Sequence, residues 1–450
     1  MSSELDKIKE LYKLFVQFPF VCTDTRKIVP NCLFFCLKGE HFDGNIFVKE
    51  ALEKGARCVI TEESGNVEAT LAVAGNNCII VVDDVLKTLQ QLANYHRNQF
   101  KIPIIGITGT NGKTTTKELI VSVLSKKYKT AFTKGNLNNH IGVPLTLLSI
   151  KQDDEIAVIE MGANHTGEIA ELCEIVQPDY GLITNIGKAH LEGFGTIDNI
   201  IETKTALYRA AQTIFVNGED EILIHAANKF KVQSSKVQEF KKNSYGLTVL
   251  RSYGLHFYGA NTNISGQILE MNPCLVINLF NKKIQTQLTG DYNLSNILAA
   301  AAIGHFFNVS TENICDAIAG YTPQNQRSQI VKNKDNTIIA DYYNANPTSV
   351  KAALDSFLKI EAPHKLAILG DMLELGENSV AEHQTIIDFC EKNNIETCFV
   401  GEIYYSLKNG RSHFFANVQD CNNYLKNNKR INALILIKGS RGISLENIVI

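Results

Sequence analysis

The sequence predicts an α/β protein of three domains, and three observations lead there. The chain has 450 residues, which corresponds to about three domains of ~150 residues each. From residue 102 onward, short apolar runs that end in polar turns alternate with helical stretches, the pattern of parallel strands covered on both faces. The segment "GITGTNGKTTTKELI" (106–120) sets a glycine turn directly between an apolar run and a helix start.

Residues 1–100 are predicted as a small mixed α/β domain. Its opening, "MSSELDKIKELYKLF", is an amphipathic helix start with acidic residues, unlike the basic-then-apolar order of a signal peptide. "LFFCL" (33–37) and "CVITEE" (58–63) read as strands, and "FVKEALEKGA" (47–56) as a helix ending at glycine. In "LKTLQQLANYHRNQF" (86–100), Leu86, Leu89, Leu92 and Ala93 share one helical face that closes the domain.

Residues 101–322 are expected to form a central domain. "IPIIGIT" is its first buried strand, a helix runs over 113–126, and "EIAVIEMGA" (155–163), "YGLITNIG" (180–187) and "TIFVNGED" (213–220) are further strands. Alternating runs within 244–290, such as "CLVINLF" (274–280) and "KIQTQL" (283–288), read as antiparallel strands inserted late. "NLSNILAAAAIGHFF" (293–307) is an alanine-rich helix. Proline and polar residues in "YTPQNQRSQ" (321–329) mark the second boundary, and 323–450 is predicted as a Rossmann-like domain with strands in "NTIIADYY", "KLAILGD", "TCFVGE" and "ALILIKGS". Ligands of such sheets bind beyond the carboxyl ends of the strands.

Charge and cysteines narrow the class. Lys plus Arg is 44 and Asp plus Glu is 47, a formal net charge of −3. That balance gives no electrostatic case for nucleic acid or an anionic membrane, and no apolar run approaches the ~20 residues of a membrane span. Eleven cysteines without a CxxC pair read as reduced thiols. The expectation is a cytoplasmic monomer acting on small molecules.

The glycine turn is the strongest motif. A phosphate-binding loop of the G-x-x-x-x-G-K-[ST] type would want glycine at 107, where Ile107 stands; the glycines fall at 106 and 109 instead. The physical requirements are still met. Gly109 and Gly112 permit a tight turn that aims backbone N–H groups at an anion, the next helix adds its positive end, Lys113 adds a full charge, and the Thr114 hydroxyl is placed to ligate Mg²⁺. The central domain is therefore expected to be P-loop NTPase-like.

This variant loop, G-T-N-G-K-T-T here, resembles that of the Mur ligase superfamily, whose members use ATP to join a carboxylate to an amine. The resemblance implies ATP on Gly109, Thr110, Asn111, Gly112, Lys113, Thr114 and Thr115, and probes further motifs in the same order along the chain. "VIEMGANHTGEI" (158–169) supplies Glu160, implied as a Mg²⁺ ligand; the lesser alternative, taken alone, is a strand-end carboxylate that caps a helix. "ITNIGKAHLEGFGT" (183–196) supplies His190, implied as a ligand of a second Mg²⁺; taken alone it is a hydrogen-bonded loop histidine. Lys113, Glu160 and His190 form the implied catalytic set. "ETKTALY" (202–208) supplies Lys204, which matches a lysine that many Mur ligases carbamylate to hold that metal. In "TGDYNLSNILAAAA" (289–302), Asn293 and Asn296 are one helical turn apart on one face and are implied to border the adenine. Arg327 is implied to reach the phosphates and Asp341 the ribose.

The third domain separates members of the superfamily. "YNANPTS" (343–349), "LGDMLELGENSVAEH" (369–383) and "KGSRGISLE" (438–446) resemble the member that adds D-alanyl-D-alanine to a UDP-N-acetylmuramoyl tripeptide, with Tyr343, Asn344 and Asn346 on the dipeptide side. In "CTDTRKIVPNCLFFCLKGEHFDGNIFVKEAL" (22–52), Asp24, Thr25 and Arg26 and then Phe42, Asp43 and Gly44 are implied to receive the UDP-sugar. Asn136 and Asn138, in "KGNLNNHIGVP" (134–144), are implied to face the substrate. Asn45 and Ala340 depart from the family pattern. The expected reaction passes through an acyl phosphate. Two other readings stay open: a Mur-type ligase that adds a single amino acid, and a nucleotide-binding module of the same fold without turnover.

Overall fold

The computed structural model describes residues 4–39, 42–62, 77–234, 241–242, 248–249, 254–260, 262–324 and 326–450. The first domain is a four-stranded parallel sheet in the order Val21–Cys22, Leu33–Phe35, Cys58–Thr61, Cys78–Val81. Helix Val85–Arg97, capped by the Asp84 side chain on Lys87 N, packs its Leu89 and Leu92 face inward. Helix Glu4–Gln17 lies on it through Leu11 and Phe15, with the Phe15 ring edge-on to His96. Arg97 then reaches over to the central domain, donating to Val176 O, Gln177 O and Asp179 Oδ2.

The central sheet has six parallel strands in the order Gly254–Tyr258, Thr213–Asn217, Tyr180–Ile183, Ile104–Thr108, Ile156–Glu160, Thr130–Phe132. Ile104–Thr108 and Ile156–Glu160 are buried throughout, as a sheet covered on both faces demands. The strand that comes first in sequence sits in the middle, and its successors are laid on both sides, so the chain switches direction beyond its carboxyl end, where a doubly wound sheet opens a crevice. Helix Lys113–Leu124 leaves that point and packs against Asn293–Phe306, whose Ala299–Ala302 run lets the two helices approach.

The late insertion differs in part from the sequence reading. Gly266–Met271, Cys274–Leu279 and Lys282–Thr289 do form an antiparallel sheet. Gly254–Tyr258, from the same stretch, instead extends the central sheet as a parallel edge strand; residues 243–247, 250–253 and 261 lie outside the described residues.

The third domain is a second six-stranded sheet, ordered Gln329–Lys332, Thr337–Asp341, Ala433–Lys438, His364–Gly370, Thr397–Val400, His413–Phe415. Its first pair is antiparallel and the rest are parallel. The cysteines correct the expectation of reduced thiols at one place. Cys58 and Cys78 are disulfide-bonded. They are 20 residues apart in sequence, yet parallel pairing sets them directly opposite each other with Cα atoms 4.5 Å apart, a proximity that no local spacing reveals. Among the described residues no helix is long and apolar enough to cross a membrane.

Candidate active site

A cavity of about 1130 Å³ lies beyond the carboxyl ends of the central strands. The first domain contributes Leu86 and Gln90 to its rim, the central domain its floor, and the third domain its far wall. The glycine turn forms the floor and is stapled to the next strand's end. Asn111 N donates to Asn185 Oδ1 at 2.9 Å, Asn111 O accepts from Thr184 Oγ1 and Asn185 Nδ2, and Thr110 Oγ1 and the Gly187 backbone bond each other. This stapling accounts for the shifted glycine register. Gly109 has φ +147 and abuts Thr184, where a Cβ would fall 2.0 Å from Oγ1. Gly112, at φ +75, faces Asn296, where a Cβ would fall 2.8 Å from Oδ1. Position 107 is a buried strand residue and needs a side chain for the core.

Lys113 opens the helix and folds back onto its own loop, donating to Gly109 O at 2.8 Å and Thr110 O at 3.0 Å. Desolvation pulls its ammonium down to about 8, against the raising effect of Glu160 and with help from Arg327. Glu160 is buried at the end of its strand. Its Oε1 accepts from Thr114 Oγ1 at 3.1 Å and Asn138 Nδ2 at 2.8 Å. Its Oε2 is buried without a hydrogen bond, with Lys117 Nζ 3.9 Å away. A buried carboxylate oxygen with free lone pairs beside a threonine hydroxyl fits a hard cation. Oxygen donors of this kind are what Mg²⁺ takes, an ion held through one or two carboxylates plus substrate phosphates.

His190 also lines the cavity, at φ +50, with Nδ1 2.5 Å from Glu374 Oε2 of the third domain. Lys204 does not line it. Its Nζ lies 5.7 Å from the centroid of the Phe194 ring, and burial, with a contribution from Lys113, lowers its ammonium to about 7.

Asn293 and Asn296 are both buried and belong to one chain of bonds: Thr116 Oγ1 donates to Asn296 Oδ1, Asn296 Nδ2 to Asn293 Oδ1, and Asn293 Nδ2 to Thr289 O. They border the cavity while bracing the helix that carries Lys113. On the far wall, Arg327 stacks on Tyr343 with its guanidinium carbon 3.9 Å from the ring centroid. Asp341 accepts from Lys438 Nζ at 2.7 Å and Ser328 N at 3.3 Å. Asn344 lines the wall and caps Ala345 N with its own Oδ1. Asn346 closes the gap between domains, its Nδ2 donating to Asn111 Oδ1 at 2.8 Å.

Asn136, Asn138 and Thr115 line the cavity as well, whereas Asp24, Thr25, Arg26, Phe42, Asp43 and Gly44 of the first domain stand apart from it. Arg26 donates Nε and Nη2 to the two Asp24 oxygens at 2.9 Å each, holding that carboxylate down to about 2. Thr25 follows Asp24 in a short 3-10 turn. Phe42 and Phe47 stack with ring centroids 5.7 Å apart, and Asp43 caps Asn45 N. Gly44 is required there, since a Cβ would meet Leu37 O at 2.5 Å.

Four residues that matter here were not singled out from sequence. Lys117 is buried and donates to Thr133 O at 2.8 Å; Thr133 Oγ1 in turn accepts from Glu160 N. Asn185 holds the loop, Lys438 holds Asp341, and Glu374 meets His190. Lys438 and Glu374 lie inside the quoted third-domain motifs, and Lys117 is one helical turn after Lys113, so position carried a signal that residue type alone did not.

Comparison with known proteins matches all three domains. Residues 17–97 match the Mur ligase family catalytic domain, 107–304 the Mur ligase middle domain, and 326–441 the Mur ligase glutamate ligase domain. The UDP-N-acetylmuramoyl-tripeptide–D-alanyl-D-alanine ligase of Bacillus subtilis is 34% identical over 443 residues, 95% of this chain and 92% of the relative. The crystal structure of MurF from Acinetobacter baumannii superposes with a TM-score of 0.83 at 29% identity, over 95% of this chain and 92% of that one. A Thermotoga maritima MurF ligase in complex with ADP shares the fold, with a TM-score of 0.79 at 24% identity over 95% and 96% of the two chains.

Proposed function

The chain belongs to the Mur ligase family, and we infer from that premise that it is the ligase joining D-alanyl-D-alanine to UDP-N-acetylmuramoyl-tripeptide in peptidoglycan precursor synthesis. The observation that carries the reading at the level of the site is the meeting of two motifs. The glycine turn and the third-domain stretch Tyr343–Asn346 face each other across one cavity and are tied through Asn111 and Asn346.

ATP is the proposed phosphoryl donor. It is assigned to Gly109–Thr115, with Asn293 and Asn296 on the adenine side, Arg327 toward the phosphates and Asp341 toward the ribose. Thr114 and Glu160 would hold one Mg²⁺ and His190 a second; Lys204, which does not line the cavity, is the residue whose carbamylation the family resemblance implies. Bound there, Mg²⁺ supplies charge that offsets repulsion between an incoming carboxylate and the phosphates. Lys113 does the same from the loop, exchanging its bonds to Gly109 O and Thr110 O for phosphate oxygens.

The tripeptide carboxylate attacks the γ-phosphorus, ADP departs, and an acyl phosphate forms. The D-alanyl-D-alanine amine then attacks the acyl carbon and loses a proton as phosphate leaves. Asp24, Thr25, Arg26, Phe42, Asp43 and Gly44 in residues 1–100 are assigned to the UDP-sugar, with Asn136 and Asn138 along the peptide. Tyr343, Asn344 and Asn346 in residues 323–450 are assigned to the dipeptide. Neutral amides able to donate and accept suit a zwitterion.

A phosphate-release assay tests this. Phosphate should appear only with ATP, UDP-N-acetylmuramoyl-tripeptide and D-alanyl-D-alanine together, and Lys113→Ala should slow it by about 10²–10³-fold, the usual cost of one group that stabilises transition-state charge. Release driven equally by a single amino acid, or persisting at near-normal rate in Lys113→Ala, would contradict the assignment.

A further inference from the structure

Residues 371–373 of the third domain are pinned atom by atom. The Asp371 carboxylate accepts from Ile403 N and Tyr404 N at 3.0 Å each. Met372 N donates to Nε2 of the buried His383, whose Nδ1 lies 2.7 Å from Ser379 O, and Leu373 N donates to Ser440 Oγ. Met372 and Leu375 are buried on either side. Leu373 and Glu374 are the exposed residues of this run, and Glu374 sits at φ +64, a strained conformation for a non-glycine residue that persists only where its surroundings impose it.

What it reaches is His190, itself at φ +50. Glu374 Oε2 lies 2.5 Å from His190 Nδ1, an ion-pair contact and not yet an aligned hydrogen bond, and Nδ1 has no aligned partner. The contact is embedded in a wider clasp. Glu192 N approaches Glu374 O at 3.4 Å, Lys188 N donates to Thr348 Oγ1 at 3.1 Å, and Lys188 Nζ pairs with Glu382 at 2.8 Å. The same short loop of the central domain is thus gripped by the third domain at several points.

We propose that Glu374 is a positioning residue that holds the His190 proton on Nδ1 and thereby presents Nε2 to the cavity as a metal-ligating lone pair. Imidazole has one donor and one acceptor nitrogen when neutral, so a carboxylate on one nitrogen decides the role of the other. Metal-binding histidines gain basicity and a fixed ring orientation from such a carboxylate, and losing it costs 10–100-fold in metal affinity or activity. Here the orienting group comes from a different domain. The ligand nitrogen is therefore prepared only when the third domain is seated, which links metal binding to closure. The inference rests on the reading of His190 as a metal ligand.

The test has two readouts. In metal-free protein labelled with ¹⁵N-histidine, at a pH well above the ordinary imidazole value of ~6.5, long-range ¹H–¹⁵N correlation reports the His190 tautomer, with His190→Asn identifying its signals. The wild type should show Nδ1–H. Glu374→Ala should lose that preference, and Glu374→Gln, which keeps an acceptor oxygen, should restore it. An unchanged tautomer in Glu374→Ala overturns the proposal. The second readout is Mn²⁺ affinity by electron paramagnetic resonance with a non-hydrolysable ATP analogue, expected to fall about 10-fold in Glu374→Ala. If Mn²⁺ affinity is unchanged in both Glu374→Ala and His190→Asn while the tautomer responds, the pairing stands but the metal role falls with the reading beneath it.

Discussion

Lys204 shows how burial sets up chemistry. It is 3% exposed, and desolvation, aided by the Lys113 charge and opposed by Glu168, lowers its ammonium from 10.5 to about 7. Since its folded value lies below its unfolded one, the folded chain sheds this proton first as pH rises. The cost of burying the charge is fully present below pH about 7 and is relieved progressively up to 10.5, so stability climbs with pH across that window. Lys204→Met is expected to flatten that slope, read as the urea midpoint at several pH values; an unchanged slope would contradict the assignment. The neutral amine is also the form that combines with carbon dioxide. In ¹³C-bicarbonate, a carbamate carbon signal should grow as pH passes about 7 and be missing from Lys204→Met. A signal that grows only near the ordinary lysine value would mean that burial does not prime this residue.

At the level of elements, the helix Pro347–Lys359 carries a separable pair of tasks at its N-cap, Asn346. Asn346 Oδ1 accepts from Ser349 N at 2.9 Å and Ser349 Oγ accepts from Asn346 N at 3.1 Å, a capping box with Pro347 behind it. The Asn346 Nδ2 group meanwhile ties the helix to Asn111. Asn346→Ala is expected to lower stability by ~1 kcal/mol through the lost cap. Asn346→Ser keeps the cap but is too short for the tie, so its unfolding midpoint should stay near wild type while KM for ATP rises about fivefold, the equivalent of one hydrogen bond of ~1 kcal/mol. An unmoved KM would show that the tie has no part in nucleotide binding. The cap was visible in sequence only as part of a motif, Y-N-A-N-P-T-S; its partner 235 residues away was not. The long apolar strands and amphipathic helices were legible because period and length agree. The short edge strands Gln329–Lys332 and His413–Phe415 were not, because three or four residues carry too little pattern. Gly254–Tyr258 was assigned to the wrong kind of sheet, since an edge strand's partner is decided by the fold.

The molecule as a whole supplies what no single domain holds. Lys113, Glu160 and His190 come from the central domain, while Arg327, Asp341 and Glu374 come from beyond the second boundary, and all six line one cavity. The resemblance in the sequence motifs picked out Lys113, Glu160, His190, Arg327 and Asp341, and of these Lys113 opens a helix and Glu160 and Asp341 end strands. Lys117, Asn185 and Lys438 lie in or beside those motifs but were not singled out, because their tasks are to hold other residues and so depend on distances that only the folded chain has. Asp24, Thr25 and Arg26 lie outside the cavity, so a substrate bound at both ends would span the first domain and the central one.

The central claim is that a carboxyl group is activated by the terminal phosphoryl group of ATP before an amine replaces it. Transfer of isotope from the carboxylate tests this most directly. With both carboxylate oxygens of the reacting tripeptide terminus labelled with ¹⁸O, mass spectrometry of the released phosphate should find one ¹⁸O per phosphate, matched to amide formed with D-alanyl-D-alanine. Unlabelled phosphate accompanying normal amide formation would contradict the account.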